Sequence, residues 1–94
     1  MNLIKLKNEY IKAKTEFEQK IMSEMAANIK ELREHNNMSQ QELAEACDMK
    51  RTTITMIENS KQGIDVVQLV WISMALNCDA RELIPRIEWE VKGE

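Results

Sequence analysis

The chain is poor in the residues that build loops, cross-links and stacked aromatic cores. Among 94 residues there are two Gly, one Pro and two Cys, with two Trp, one Tyr and one Phe as the only aromatics. So few chain-reversing residues argue against a turn-rich β-sandwich and favour helices joined by short connections. No apolar run approaches the roughly 20 residues that a bilayer span needs, and no charged–apolar–small-residue leader opens the sequence. Cys47 and Cys78 lie far apart with no C-x-x-C pairing, and His35 is the sole histidine. A four-ligand zinc site cannot be assembled from this set. Both cysteines sit among apolar neighbours and read as small core residues. No nucleophile–base set, metal cluster or phosphate-cradling loop is visible, so neither catalysis nor a cofactor is expected. What remains is one all-α domain, expected in the cytoplasm and off the membrane.

Charge gives a mixed signal. The net charge of −3 argues, taken alone, against a nucleic-acid footprint. The excess of acid is concentrated in residues 64–94, however, and residues 49–63 carry Lys50, Arg51 and Lys61 against Glu58 alone. Any affinity for DNA has to come from that small basic island.

Apolar residues recur at helical spacing from Leu3 to Leu32, uninterrupted by Gly or Pro. At about 100° per residue, Leu3, Leu6, Tyr10, Phe17 and Ile21 fall within a stripe roughly 60° wide. One helix of about thirty residues is predicted, with a break near Ser23 left open and Asn36-Asn37 as its natural end. Ser39 and Glu42 then form the Ser-x-x-Glu box that opens a second helix, with Leu43, Ala44 and Cys47 inward. Asp48 makes the turn and Met49 plugs the corner. A third helix runs through Arg51–Asn59 with Ile54 and Ile57 inward. Asp65 caps a fourth helix reaching Leu76, and Asn77 ends it. Asp79 caps a short fifth helix carrying Leu83 and Ile84, stopped by Pro85. Beyond Pro85, Ile87, Trp89 and Val91 alternate with charged residues, a period of two that reads as a β-strand. Residues 1–24 are thus an N-terminal helical extension, 25–84 the domain and 85–94 a tail with a possible short strand.

Two short helices joined by a tight turn are the parts of a helix-turn-helix. The runs Ile29-Lys30-Glu31-Leu32-Arg33, Met38-Ser39-Gln40-Gln41-Glu42-Leu43-Ala44 and Thr53-Ile54-Thr55-Met56-Ile57-Glu58-Asn59, with Ala75-Leu76 and Glu82-Leu83, resemble the phage-repressor-like (Cro/C1, Xre) helix-turn-helix family. The resemblance covers residues 25–84 and implies a five-helix, repressor-like domain. It makes helix 51–59 a recognition helix that enters the major groove by its N-terminal half.

With Ile54 inward, Thr52, Met56 and Asn59 point outward and Thr55 lies on the flank, at about 100° per residue. Arg51 opens the helix and is the candidate for a bidentate contact to guanine. Thr52, Thr55 and Met56 complete the expected base-contacting set. The resemblance carries the phosphate clamp onto Gln40, Asn59 and Lys61, and Lys50 adds a further phosphate contact. It also implies an ion pair between Arg33 and Glu58 that holds the recognition helix at a fixed angle. The chain departs from the family pattern at Asp48, where a turn Gly is usual, and at Lys50, in the place of a Ser or Thr cap. Met56 and Ser60 replace residues that are often Arg and Gly. These departures lower the expected DNA affinity without removing the fold.

The fourth helix carries a second apolar stripe. Val67, Trp71 and Met74 lie opposite the inward Leu69, Ile72 and Leu76, so a partner surface is expected there. The lone terminal strand needs another strand to satisfy its backbone. Ile87, Trp89 and Val91 would pair with their twins in a two-fold homodimer, or else belong to a frayed tail. The N-terminal helix is expected as a dimer arm or an intramolecular brace, since an isolated amphipathic helix is only marginally stable. The sequence therefore reads as a sequence-specific, repressor-type regulator that binds double-stranded DNA as a homodimer on a pseudo-palindromic operator. The rival reading is an antitoxin or other interaction module, whose apolar extensions bind a partner protein while DNA binding is secondary.

Overall fold

A computed structural model describes residues 2–86. Helix α1 runs unbroken from Leu3 to His35, α2 from Gln40 to Ala46, α3 from Arg51 to Glu58 and α4 from Val66 to Ala75. Helix α1 starts where the Asn2 side chain accepts hydrogen bonds from the Ile4 and Lys5 amides. Ser39 and Glu42 close the capping box of α2, each at 3.0 Å. Asp65 and Gln68 form the equivalent box on α4. Each box satisfies amides that a helix start leaves open. Lys50, at the start of α3, makes no side-chain cap.

The four helices stop by one device. Asn37, Asp48, Ser60 and Asn77 have φ between 53° and 57°. In each case the amide of the next residue donates back across the last turn, as from Met38 to Arg33 and from Met49 to Ala44. This is the left-handed termination that glycine usually supplies, made here entirely by residues with a side chain.

Ile29 of α1, Leu43, Ala44 and Cys47 of the second-helix region, Ile54 and Ile57 of α3, and Ile72 and Leu76 at α4 form one buried cluster closed by Leu83. Met49 packs against it from the corner between α2 and α3. Asn36 and Asn28 pin its edges, donating to the Leu76 and Leu83 carbonyls at 2.9 and 3.1 Å.

Two expectations need correction. The fifth α-helix is a single 3-10 turn, Ala80–Glu82, so the described residues hold four α-helices rather than five. Asp79 and Glu82 close a capping box over three residues, and Pro85 disfavours helical backbone at the residue before it. Ile84, which that helix would have carried, is exposed. The predicted strand, with Ile87, Trp89 and Val91, lies outside the described residues.

Helix α1 far outruns the domain. Residues 2–20 are all exposed, and burial begins around Ile21. At about 1.5 Å per residue the 33-residue helix accounts for the 54 Å long axis of a particle only 31 and 20 Å across. Nothing among the described residues buries this arm against the domain. Its one hydrogen bond to the domain, among those residues, runs from Gln19 Nε2 to the Ser60 carbonyl, at 3.5 Å. Among the described residues, no helix is long and apolar enough to cross a membrane.

Candidate nucleic-acid interface

The turn from Cys47 to Lys50 sets α3 across α2. Ile54 and Ile57 of α3 are buried, and the opposite side of the helix faces solvent. Arg51, Thr52 and Met56 are exposed there, with Lys50 before the helix and Asn59 and Lys61 after it. Thr55 and Gln40 are half-buried at the junction of α2 and α3.

Beneath this surface lies a polar network. Arg33 Nε and Nη2 donate to the two carboxylate oxygens of Glu58 at 2.7 and 2.9 Å, and Nη1 donates to the Met38 carbonyl at 2.8 Å. The Arg33 and Glu58 side chains are only 10% and 2% exposed. The hydrogen bond to Glu58 is also what raises the Arg33 pKa, against the opposing effect of burial. Gln40 extends the network by donating to Glu58 at 3.2 Å and accepting from the Thr55 hydroxyl at 3.0 Å. The Thr55 hydroxyl has one hydrogen to share between Gln40 and the Arg51 carbonyl, also 3.0 Å away.

The network changes the electrostatic reading of the basic island. Glu58 is the only acid between residues 49 and 63, and its charge is compensated internally by Arg33 on α1. Lys50, Arg51 and Lys61 therefore face solvent with no carboxylate of their own segment to offset them.

A second exposed surface lies on α4. Val67, Trp71 and Met74 are 65%, 51% and 64% exposed, and Val66 and Val70 widen the patch. The last two were missed by the stripe argument. The available signal was that α4 is apolar nearly all the way round, which marks a helix covered on more than one side. Beside Trp71, a groove lined by Cys47, Asp48, Met49 and Gln68 separates α4 from the end of α2. The Cys47 thiol is buried, with its pKa raised by desolvation. Sequence reasoning also missed Gln40 as the link between Glu58 and Thr55. The described residues contain no cluster of three or more potential metal ligands.

Residues 29–83 match the family model described as Helix-turn-helix. The control protein C.SmaI of Serratia marcescens is 32% identical over 62 residues, covering 66% of this chain and 74% of that protein. The restriction-modification controller protein C.AhdI from Aeromonas hydrophila has the same fold, with a TM-score of 0.66 at 24% identity over 67% of this chain and 96% of that one. The hypothetical transcription factor NHTF from Neisseria gives a TM-score of 0.67 at 26% identity, over 69% and 75% of the two chains.

Proposed function

Since the chain belongs to the Cro/C1-type (Xre) helix-turn-helix family of DNA-binding transcriptional regulators, we propose that it is a repressor-type regulator acting as a homodimer on a pseudo-palindromic operator. The observation that carries this reading is the outward face of α3. Arg51, Thr52 and Met56 are free on it, and Glu58, the one acid of residues 49–63, is neutralised from behind. Arg51 reads guanine O6 and N7, and Thr52, Thr55 and Met56 supply the hydroxyl and apolar base contacts. Lys50, Asn59 and Lys61 hold phosphates on either side of the helix. Gln40 contributes the second hydrogen of its amide to a phosphate while its first stays on Glu58. The Arg33–Glu58 pair keeps α3 at its angle and touches no DNA.

A single three-cation face is too small for tight binding alone, so the dimer is part of the mechanism. Two copies place their recognition helices about 34 Å apart, in successive major grooves. The α4 patch of Val67, Trp71 and Met74 forms the contact nearest the domains. Residues 25–84 act as the DNA-binding unit, with 1–24 and 85–94 as appendages. Two of the similar proteins are named as control or controller proteins, one of them of restriction-modification. Control of such a gene set is the specific setting we assign.

Selection of bound sites from a random duplex library, at two salt concentrations, tests the reading. An enriched two-fold-symmetric site is the expected result. Salt-sensitive binding without enrichment refutes the sequence-specific role and revives the partner-protein alternative, which the relatives do not favour.

A further inference from the structure

The exposed arm of α1 carries two distinct apolar lines. Ile4 and Ile11 lie on the same line as Ile29, the residue that α1 sends into the core, at about 100° per residue. Leu3, Leu6, Tyr10 and Phe17 form the second line, roughly 80–140° round the helix from Ile29. All four are exposed, Tyr10 by 69%. The second line borders the core face at Leu3, about 20° from the partly buried Leu32 and in line with half-buried Ile21, and turns away from it through Tyr10, Phe17 and Leu6. A helix centred on Tyr10, Phe17 and Leu6 would run beside the arm, about 100–140° round from Ile29. The family match begins at Ile29, so it leaves this segment without an assigned role.

Heptad phase and charge identify the occupant. With Leu3, Tyr10 and Phe17 at a positions, the d positions are Leu6, Ala13 and Lys20. The flanking g positions are then Glu9 and Glu16, and the e positions are Lys7, Lys14 and Ile21. In a parallel, in-register pair of helices a g residue meets the e residue of the following heptad on the other strand. Glu9 would meet Lys14 of the second copy, and Lys14 would meet that copy's Glu9. In an antiparallel pair g meets g and e meets e, which sets Glu against Glu and Lys against Lys. Within one chain, among the described residues, Lys14 reaches only Glu18, one turn on, at 3.9 Å and largely in solvent.

We infer that residues 3–21 form a parallel, in-register, two-stranded coiled coil with the same segment of a second copy, held by the Leu3–Leu6–Tyr10–Phe17 seam and by reciprocal Glu9–Lys14 ion pairs. The two-fold axis of such a pair runs along the coil, which is the symmetry a palindromic operator demands. This rests on the dimeric reading above and deepens it, because the arm becomes a second dimer contact, separate from the α4 patch. Only about two and a half heptads are available and Lys20 occupies a d position. The arm therefore reinforces a dimer formed elsewhere rather than making one by itself.

Sedimentation equilibrium of the full chain without DNA tests the pairing, with circular dichroism to verify that each variant keeps its helix content. Glu9→Lys and Lys14→Glu should each weaken self-association about three- to tenfold, and the double reversal should restore it to within about twofold of the original. Both Lys14→Glu proteins lack the local Lys14–Glu18 pair, so the rescue reads only the contact between copies. Tighter association of the single variants would overturn the proposal in favour of antiparallel helices. Unchanged dissociation constants, or a chain that stays monomeric throughout, would overturn it as well. The library selection reads DNA recognition separately, so the arm can fail while the regulator stands.

Discussion

Removing one member of the Arg33–Glu58 pair should cost far more than removing both. The two charge-assisted bonds, at 2.7 and 2.9 Å, join side chains that are almost wholly buried. Arg33→Met leaves the Glu58 carboxylate enclosed, with Gln40 its one remaining side-chain donor among the described residues. Glu58→Leu leaves a buried guanidinium, with the Met38 carbonyl as its hydrogen-bond acceptor and the exposed Glu34, 4.0 Å away, as its nearest remaining charge. Each single change should destabilise the domain by about 3–5 kcal/mol, because a charge stays buried without its principal partner. Arg33→Met combined with Glu58→Leu removes both charges at similar volume and should lie within about 1–2 kcal/mol of the parent. The coupling is then at least about 3 kcal/mol, far above the fraction of a kcal/mol typical of exposed pairs. Urea unfolding followed by circular dichroism reads it, with a protecting osmolyte present if a single variant is unfolded in buffer. Losses that simply add in the double variant would refute the reasoning and reduce the pair to a surface contact. The same double variant should still bind DNA more weakly, because Glu58 also anchors Gln40 and, through it, Thr55.

Arg51→Ala should relax sequence preference at one base pair by about 1–3 kcal/mol, whereas Lys61→Ala should weaken all duplexes alike. With Lys50 and Lys61 as phosphate contacts on both protomers, the log–log salt slope should fall from about −3.6 to about −1.8 in Lys61→Ala; equal behaviour of the two variants would sink the division of roles. Trp71→Glu places a charge in the middle of the α4 patch and should shift a dimer to monomer in sedimentation, and an unchanged assembly would remove that patch from the interface. Ser60→Gly should raise the melting temperature by relieving a left-handed residue, a gain of about 0.5–1 kcal/mol, and Asn77→Gly should gain less because Asn tolerates that backbone. Asp79, hydrogen-bonded to the Arg81 side chain and amide, has its pKa lowered from 3.8 to about 2. A depressed carboxylate contributes stability above its unfolded pKa and loses it as pH falls through the folded value. Asp79→Asn should therefore flatten the stability profile between about pH 4 and pH 2 and leave its shape at neutral pH unchanged.

What was legible in the sequence was what depends on near neighbours. The boxes at Ser39–Glu42 and Asp65–Gln68 join residues three apart, so spacing alone locates those helix starts. The left-handed ends at Asn37, Asp48 and Asn77 follow from side chains that tolerate that backbone. The fifth helix failed because the same local rule has no length term. A cap at Asp79 and a stop at Pro85 bound an interval that holds one 3-10 turn as readily as an α-helix. The bridge from Glu58 through Gln40 to Thr55 was beyond local reading. Its members are 15 and 18 residues apart, and their meeting depends on the angle at which α3 crosses α2.

The arm shows the same boundary from the other side. Periodicity alone finds the Leu3–Phe17 stripe, but whether a stripe is core or interface depends on which way the rest of the helix faces. Ile29 at the centre of the core fixes that direction, and the middle of the stripe, at Tyr10 and Phe17, then lies about 100–120° away from it. One continuous helix thus holds two faces with different tasks, and the roughly 100° between them separates the residues that fold the domain from those left free for a second copy. An added residue between Phe17 and Glu18 would rotate one face against the other without touching the half-buried residues that begin at Ile21. Such an insertion should leave the unfolding midpoint nearly unchanged while altering self-association and operator spacing. If stability fell as far as self-association did, the two faces would not be separable.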